Sequence, residues 1–197
     1  CLCVLLVKCP RHVINSWLFA NDAPNQGLAS PEHSPATLRR RNNIDGFVSN
    51  HGRGMTQTIC ILDDAFPPLL KMISDPPLVL FYLGDANVLA QQSIAIVGAR
   101  KCTTVGKLVA EKLAADLAER GVFTVSGLAH GIDAAAHKGA LSRTGGYTAA
   151  FLGADLGNIY SRQNKYLRDK IVAQGGALFS EYPHQTQLRH YHFPERN

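Results

Sequence analysis

From residue 93 onward the chain alternates short apolar runs with longer amphipathic stretches, and the runs end at glycine or at polar turns. The apolar runs are rich in β-branched and small residues and predict strands at 93–97, 122–125, 147–152 and 177–180. The stretches between them have apolar spacings typical of helices and cover 105–120, 132–141 and 163–173. This alternation predicts an α/β fold, with a parallel sheet covered by helices on both faces.

The clearest of these helices is the one at 105–120. Five apolar residues recur in it at steps of three and four and predict one buried stripe: Val105, Leu108, Val109, Leu113 and Leu117. Thr103 or Thr104 is expected to cap its start, and Gly121 is expected to end it in the left-handed conformation. The pattern therefore predicts both ends of this helix and the face that it buries.

Upstream of the alternation lie two further predicted strands, at 58–62 and 78–83, separated by a short helix near 66–73. We interpret them as a β-α-β lead-in that adds strands beside the main sheet. Residues 1–57 form a poorly defined N-terminal segment with little periodicity, so the predicted domain comprises 58–197. The apolar opening of the chain is similar to the core of a signal peptide but lacks a basic segment before it. We interpret it as the edge of a partial chain.

The composition allows one domain of ordinary size, with or without a small appendage. Of the 197 residues, 46% are hydrophobic, which suffices for a core, and no apolar run has the length of a membrane span. The formal net charge of +5 and a pI near 9.0 favour a polyanionic partner. The five cysteines show neither metal-ligand spacing nor a disulfide framework, which indicates a reducing compartment. We predict neither a metal nor a cofactor.

Candidate chemistry lies in the turns that follow the first two strands of the alternation. Parallel strands present such turns at one sheet edge, where the free N–H groups of both helix N-termini bind anions. In the first turn, Arg100 is accompanied by Lys101 and the hydroxyl of Thr103, a set that suits a phosphodiester. The turn lacks Gly-x-Gly-x-x-Gly, and the chain has no phosphate-loop motif. A nicotinamide cofactor or nucleotide hydrolysis is therefore disfavoured.

The second turn contains two glycines with different expected roles. Gly127, next to Ser126, allows a ligand to approach the backbone, and Gly131 allows tight packing or a positive φ where the helix begins. His130 either contacts a phosphate or faces solvent. Asp133 is expected to cap the helix or to hold the turn closed, because no catalytic partner accompanies it at a recognisable spacing.

Two further stretches carry basic, amide and aromatic side chains. One follows a predicted strand and therefore contributes Arg162 and Asn164 to the same edge. The other, 189–197, interleaves aromatic rings with basic groups and includes Phe193 and Arg196. Rings that stack on bases, beside cations that bind phosphates, are typical of single-stranded DNA binding. A surface loop whose Phe193 packs back onto the core is the alternative.

Taken in order, these motifs resemble the DNA-processing protein A family (DprA, also called Smf). The match covers about residues 60–197 and includes Ile-Val-Gly-Ala-Arg ending at Arg100, Ser-Gly-Leu-Ala-His-Gly-Ile-Asp ending at Asp133, and Phe-Pro-x-Arg-Asn ending at Asn197. The resemblance implies an extended Rossmann-like fold without catalytic activity. It also implies a protein of the bacterial cytoplasm that binds single-stranded DNA, protects incoming strands in natural transformation and helps load the RecA recombinase.

Carried over to this sequence, the resemblance implies that Arg100 and Arg162 hold phosphates and that Phe193 contacts a base. It places Ser126 and Gly127 in the backbone part of the pocket. The DNA or phosphate contacts predicted in all are Arg100, Lys101, Thr103, Ser126, Gly127, His130, Gly131, Arg162, Asn164, Phe193 and Arg196. Because the last motif normally continues into a helix and further strands, we expect a domain that is incomplete at its C-terminus. The intact family implies a homodimer, but we do not expect this chain alone to dimerise or to load RecA.

Two other functions stay open on the sequence. A nucleotide- or phosphoribosyl-binding enzyme or carrier would use the same turns for a small phosphorylated ligand. It would need a carboxylate base, for which Asp133 and Glu181 are the nearby candidates. A protein-interaction module or an inactive fragment would have no working site, and absence of a cooperative thermal transition would support that reading.

Overall fold

The structure of the chain is a computed structural model that describes residues 2–7, 56–157 and 162–186. Seven strands in these ranges form one sheet: β1 Leu2–Val7, β2 Gln57–Cys60, β3 Val79–Gly84, β4 Ser93–Gly98, β5 Phe123–Ser126, β6 Thr148–Leu152 and β7 Ala177–Ser180. The α-helices of these ranges are α1 Thr104–Glu119, α2 Ile132–Ala140 and α3 Arg162–Ala173. Two short 3₁₀ helices cover Leu70–Met72 and Ala86–Ala90. None of the described helices is long and apolar enough to cross a membrane.

The sheet has the strand order β1-β4-β5-β6-β7-β3-β2. Strands β4 to β7 are parallel neighbours, as the alternation predicts. Strand β3 pairs antiparallel with β7, and β2 pairs antiparallel with β3. The predicted β-α-β lead-in is therefore wrong, because a β-α-β unit would make its strands parallel. The connection from β2 to β3 contains prolines at 67, 68, 76 and 77, which interrupt the crossover helix that parallel pairing normally uses.

A second correction concerns the N-terminal segment. Its residues Leu2–Val7 form β1, which pairs antiparallel with β4 from Leu2 opposite Gly98 to Val7 opposite Ser93. The pairing covers the outer edge of β4, whose N–H and C=O groups would otherwise lack partners. The continuous apolar run at 2–7 is compatible with a strand, but nothing in the sequence indicates that this strand pairs with β4. The rest of this segment, 8–55, lies outside the described residues.

Chain order decides which face of the sheet the α-helices occupy. Strands β4 to β7 lie side by side in chain order, so right-handed crossovers carry α1, α2 and α3 onto one face. On that face Ile171 of α3 packs in a core cluster with Leu178 of β7. The opposite face, with Phe179, is covered by Phe66 and by Val88 of a 3₁₀ helix. Helices thus cover both faces, as predicted, but the described α-helices share one face and 3₁₀ helices cover the other.

Helix α1 buries a different face from the one that its larger apolar residues predict. Three members of the predicted stripe are exposed: Val105, Leu108 and Val109. Ala110 and Ala114 are fully buried instead. The cause is the close approach of α2, since a side chain on Gly139 would collide with the backbone of Glu111. Only small side chains fit between helices that approach so closely. The prediction was based on the larger apolar residues and therefore overlooked the alanines.

Helix α2 carries a buried polar group on its inner face. His137 is fully buried, and its Nδ1 lies 2.9 Å from Oγ1 of Thr148. Because that hydroxyl donates to the carbonyl of Thr124 at 2.5 Å, Nδ1 is the donor in the bond between His137 and Thr148. Burial lowers the pKa of His137 to about 3, so the folded protein holds this imidazole neutral at neutral pH.

Candidate phosphate-binding site

The turns after β4 and β5 meet at the carboxyl edge of the sheet, as the sequence predicts. The N–H of Ile132 donates to the carbonyl of Ala99 across 3.4 Å, which joins the start of α2 to the first turn. Gly131 has a φ of 87°, and a side chain there would collide with the carbonyl oxygens of Ala99 and Arg100. Glycine therefore lets the second turn lie directly against the backbone of Arg100.

A buried carboxylate bonds to both turns. Asp133 is only 2% exposed. Its Oδ1 accepts a hydrogen bond from the N–H of Gly98 at 3.3 Å, and its Oδ2 accepts one from the N–H of Ala129 at 3.4 Å. The expectation that Asp133 holds the turn closed is thus confirmed. With both oxygens used by backbone N–H groups and almost no exposure, Asp133 is poorly placed to take a proton from a ligand.

Several N–H groups of the second turn are used inside the protein. The N–H of Ala129 donates to Asp133, and the N–H of Ala134 donates to the carbonyl of Ala129 at 3.1 Å. The N–H of Ile132 is taken by the first turn. The expectation that both turns present free N–H groups to an anion is therefore wrong at these positions. Buried backbone groups need internal partners, and the second turn is largely buried, so the first turn is the better candidate for contact with an anion.

A side chain from α3 braces the second turn from its other side. Asn164 is 5% exposed, and its Nδ2 donates to the carbonyl of Leu128 at 2.6 Å. Leu128 has a φ of 54°, a left-handed conformation that costs a residue with a side chain roughly 1–2 kcal/mol. Burial of the Leu128 side chain in the core and the bond from Asn164 both oppose this cost. The side chain of Asn164 thus faces the turn and not the solvent.

The exposed groups at this edge are cationic or polar. Arg100, Lys101 and His130 are exposed. Thr103 is the N-cap of α1, as predicted, and its Oγ1 accepts a hydrogen bond from the N–H of Gly106 at 3.1 Å. Its hydroxyl proton can still be donated to a bound anion. The N-terminus of α1 adds the positive end of a helix dipole beside these side chains, so the first turn is electrostatically suited to an anion.

The other predicted contacts are partly buried and partly beyond the described residues. The hydroxyl of Ser126 is buried and donates to the carbonyl of Ile96 at 2.6 Å, and Gly127 is buried beside it. Arg162 begins α3 at this edge, but its side chain lies outside the described part of the chain. Phe193 and Arg196 also lie outside it. Their contacts with DNA stay predictions.

Two buried polar side chains at this edge are absent from the predicted set. Asp155 follows β6, is 2% exposed and accepts a hydrogen bond from the N–H of Gly157 at 2.8 Å. Ser180 ends β7 and donates to the carbonyl of Ala154 at 2.7 Å. Both residues could have been identified from the sequence, because each is a polar residue at or just after the end of a buried strand. Across 56–157 and 162–186, no three His, Cys, Asp or Glu side chains group as a metal site.

The fold and this edge define a class of protein: a Rossmann-like α/β domain with a cationic turn at the carboxyl ends of parallel strands, a common place for phosphate groups to bind. Within that class, the chain belongs to the family described as DNA recombination-mediator protein A, whose family model matches residues 57–197. The family predicted from the motifs is therefore confirmed.

Individual relatives agree with this assignment. The chain is 42% identical over 137 residues to DNA processing protein DprA of Streptococcus pneumoniae, a match that covers 70% of this chain and 48% of that protein. The X-ray structure of the Streptococcus pneumoniae protein is similar with a TM-score of 0.68 and 36% identity, over 84% of this chain and 58% of that one. The chain spans about half the length of the curated relatives that it matches.

A second solved structure is also similar. It is that of DNA processing protein A from Helicobacter pylori, described for its single-stranded DNA binding mode. It has a TM-score of 0.60 and 29% identity, over 73% of this chain and 63% of that one. The two structures together show the Rossmann-like fold.

Proposed function

We propose that the chain binds single-stranded DNA through the turn that carries Arg100, and that it catalyses no reaction on the DNA. The observation that carries this proposal is the clamp on the turn: Asp133 and Gly131 hold its backbone, while Arg100 and Lys101 are exposed. Exposed cations on a fixed backbone suit a phosphodiester chain, because less conformational freedom is lost when the anion binds.

The preference for single strands has two supports. The Helicobacter pylori relative was described for its single-stranded DNA binding mode, and the chain carries Phe193 among basic residues near its end. Stacking of a base on an aromatic ring contributes roughly 1–3 kcal/mol and tolerates any sequence. In a duplex the bases are already stacked on each other, so this contribution is available only from single strands.

The site residues take different parts in this proposal. Arg100, Lys101 and Thr103 contact phosphates, with His130 beside them. Arg162 and Arg196 are proposed to add further phosphate contacts. The remaining members shape the second turn that supports the first: Ser126, Gly127, Gly131 and Asn164.

At the level of the cell, we propose the role of a recombination mediator in natural transformation. The protein would protect incoming single strands in the bacterial cytoplasm and help load RecA on them. RecA and a second copy of the protein are proposed partners of the whole protein, since this chain spans only part of its relatives.

The alternative function, an enzyme or carrier for a small phosphorylated ligand, is less well supported. It needs a carboxylate free to take up a proton. Its first candidate base, Asp133, is 2% exposed and accepts N–H bonds with both oxygens. The same geometry suits Asp133 to a supporting role.

The proposed function is tested by titrating the 197-residue chain into labelled oligothymidylate at two salt concentrations, with fluorescence anisotropy as the readout. Affinity is expected to fall steeply with salt, because each phosphate contact releases a counterion. Arg100→Ala is expected to weaken binding by roughly tenfold or more and to reduce the salt slope by about one.

Arg120→Ala is the matched control, because Arg120 is an exposed arginine at the opposite end of α1. It is expected to leave the affinity within about twofold, since it lies far from the proposed phosphates. Binding that does not change with salt, or an Arg100→Ala variant that binds like the control, would reject the proposal.

A further inference from the structure

The two turns at the candidate site share one buried carboxylate. Gly98 belongs to the end of β4, and Ala129 belongs to the turn after β5, yet both donate their N–H to Asp133. Two residues after Gly98 the chain reaches Arg100, whose carbonyl oxygen lies against Gly131. The backbone of Arg100 is therefore held on one side by a hydrogen-bonded anchor and on the other by close packing.

We propose that Asp133 is a positioning residue for DNA binding, which fixes the direction of Arg100 by tying its turn to the second turn. This inference rests on the proposed function, because it concerns the same phosphate contact. Asp133 touches no DNA in this arrangement and acts through the N–H of Gly98. Without the anchor, the turn from Gly98 to Arg100 samples more conformations, and that freedom is lost again on binding.

Removal of the Asp133 charge is expected to change the DNA affinity in the direction opposite to the one that electrostatic repulsion alone predicts. A negative charge close to a bound polyanion opposes binding, so its removal should tighten binding if charge were all that mattered. A positioning role predicts the reverse. Asp133→Asn keeps the shape of the side chain and one acceptor oxygen, but its NH₂ group cannot accept the second N–H bond. Asp133→Asn is therefore expected to weaken binding to oligothymidylate although it makes the site more positive.

The expected loss is roughly tenfold, the lower end of the range for one hydrogen bond to a charged group. Because the loss acts through Arg100, it is expected to vanish in the Arg100→Ala background: the double variant should bind like Arg100→Ala alone. The salt slope of Asp133→Asn should also fall by about one, as one phosphate contact becomes ineffective. A purely structural role of Asp133 would change the folded fraction but not the slope or the coupling.

Ser180→Ala is the matched control for loss of a buried hydrogen bond. Ser180 is 1% exposed at the end of β7, donates to the carbonyl of Ala154 and accepts a hydrogen bond from the N–H of Tyr182; these partners lie outside both turns, so Ser180 has no part in the proposed contact. It is expected to lower the melting temperature but to leave the affinity within about twofold. If the wild type binds oligothymidylate and Asp133→Asn binds it equally or more tightly, the inference about Asp133 is overturned but the proposed function is not. Absence of binding by the wild type would reject the proposed function instead.

If Asp133→Asn does not fold, amide hydrogen exchange on the wild-type chain provides the test. The N–H groups of Gly98 and Ala129 share one acceptor side chain, so release of that carboxylate exposes both. Their exchange rates are expected to slow together, by a similar factor, when oligothymidylate binds. Slowing of neither amide, or of only one of the two, would overturn the inference.

Discussion

The turns after β4 and β5 have the same local plan, but one is open and the other is closed. Each follows a short apolar strand, contains glycine and leads into a helix. The first exposes Arg100 and Lys101, whereas the second buries Leu128 and Asp133. The difference lies in how much of each turn is used inside the protein. In the second turn Asp133 of α2 accepts the N–H of Ala129 and Asn164 donates to the carbonyl of Leu128, whereas the first turn ends in exposed cations.

This difference indicates a division of roles between the two turns. The closed turn cannot move without losing several internal hydrogen bonds, so it serves as a scaffold. The open turn presents side chains whose rearrangement disturbs little of the core. Apart from Asp133, which also ties down the turn of Arg100, substitutions in or behind the closed turn should therefore act mainly on stability, and those in the open turn should act mainly on binding.

The largest expected effect concerns His137, which lies behind the closed turn. The unfolded chain binds a proton on this histidine below about pH 6.5, whereas the folded chain does so only near a pKa of about 3. Stability from the neutral imidazole is therefore complete above pH 6.5 and is lost progressively as the pH falls from 6.5 toward 3. The full loss is roughly 4–5 kcal/mol, measured by urea unfolding at a series of pH values.

His137→Gln is expected to flatten this acid limb, because the glutamine side chain does not titrate. The quantity to compare is the slope of the free energy of unfolding against pH. The stability at neutral pH is not compared, because the substitution changes it as well. His130→Gln is the control, as His130 lies exposed in the closed turn itself. Equal acid limbs in the wild type and His137→Gln would show that burial of this histidine does not govern acid stability.

The next largest effect is expected at the contact between the two turns. Gly131→Ala places a methyl group against the carbonyl oxygens of Ala99 and Arg100, at a φ that residues with side chains rarely adopt. Backbone strain and collision together are expected to lower the free energy of unfolding by about 3 kcal/mol or more. The measurement is chemical unfolding at neutral pH.

Gly145→Ala separates the collision from the backbone strain. Gly145 also has a positive φ, of 72°, but nothing lies within 4 Å of the position that its side chain would take. Its loss is expected to be about 1 kcal/mol, the cost of the left-handed conformation alone. Similar losses for both variants would mean that the turns are not in the tight contact on which the comparison rests.

The local parts of this arrangement could be predicted from the sequence. Apolar runs ending at turns located the strands β4 to β7, and Thr103 and Gly121 correctly marked the ends of α1. The meeting of the two turns also followed, because parallel strands place their carboxyl ends together. In each of these cases the determining residues lie within a few positions of the feature.

The parts that could not be predicted depend on distant partners. The pairing of Leu2–Val7 with β4 joins residues far apart in sequence. The exposure of Val105 on α1 follows from Gly139 on another helix. Asn164 was expected at the ligand, and it faces the carbonyl of Leu128 because that left-handed residue leaves a buried oxygen to be satisfied. Pattern and spacing along the chain carry no information about such contacts.

The smallest expected effect on stability lies in the open turn, where Thr103→Ala removes the N-cap of α1. The bond from the N–H of Gly106 to Oγ1 is lost, which is expected to lower the free energy of unfolding by about 1 kcal/mol. Thr104→Ala, in the neighbouring exposed position, should change it by only a few tenths of a kcal/mol. If the open turn binds phosphate, Thr103→Ala also weakens oligothymidylate binding severalfold at a stability loss well below that of Gly131→Ala. A Thr103→Ala variant that matches Thr104→Ala in both stability and affinity would show that the open turn depends on neither the cap nor the hydroxyl.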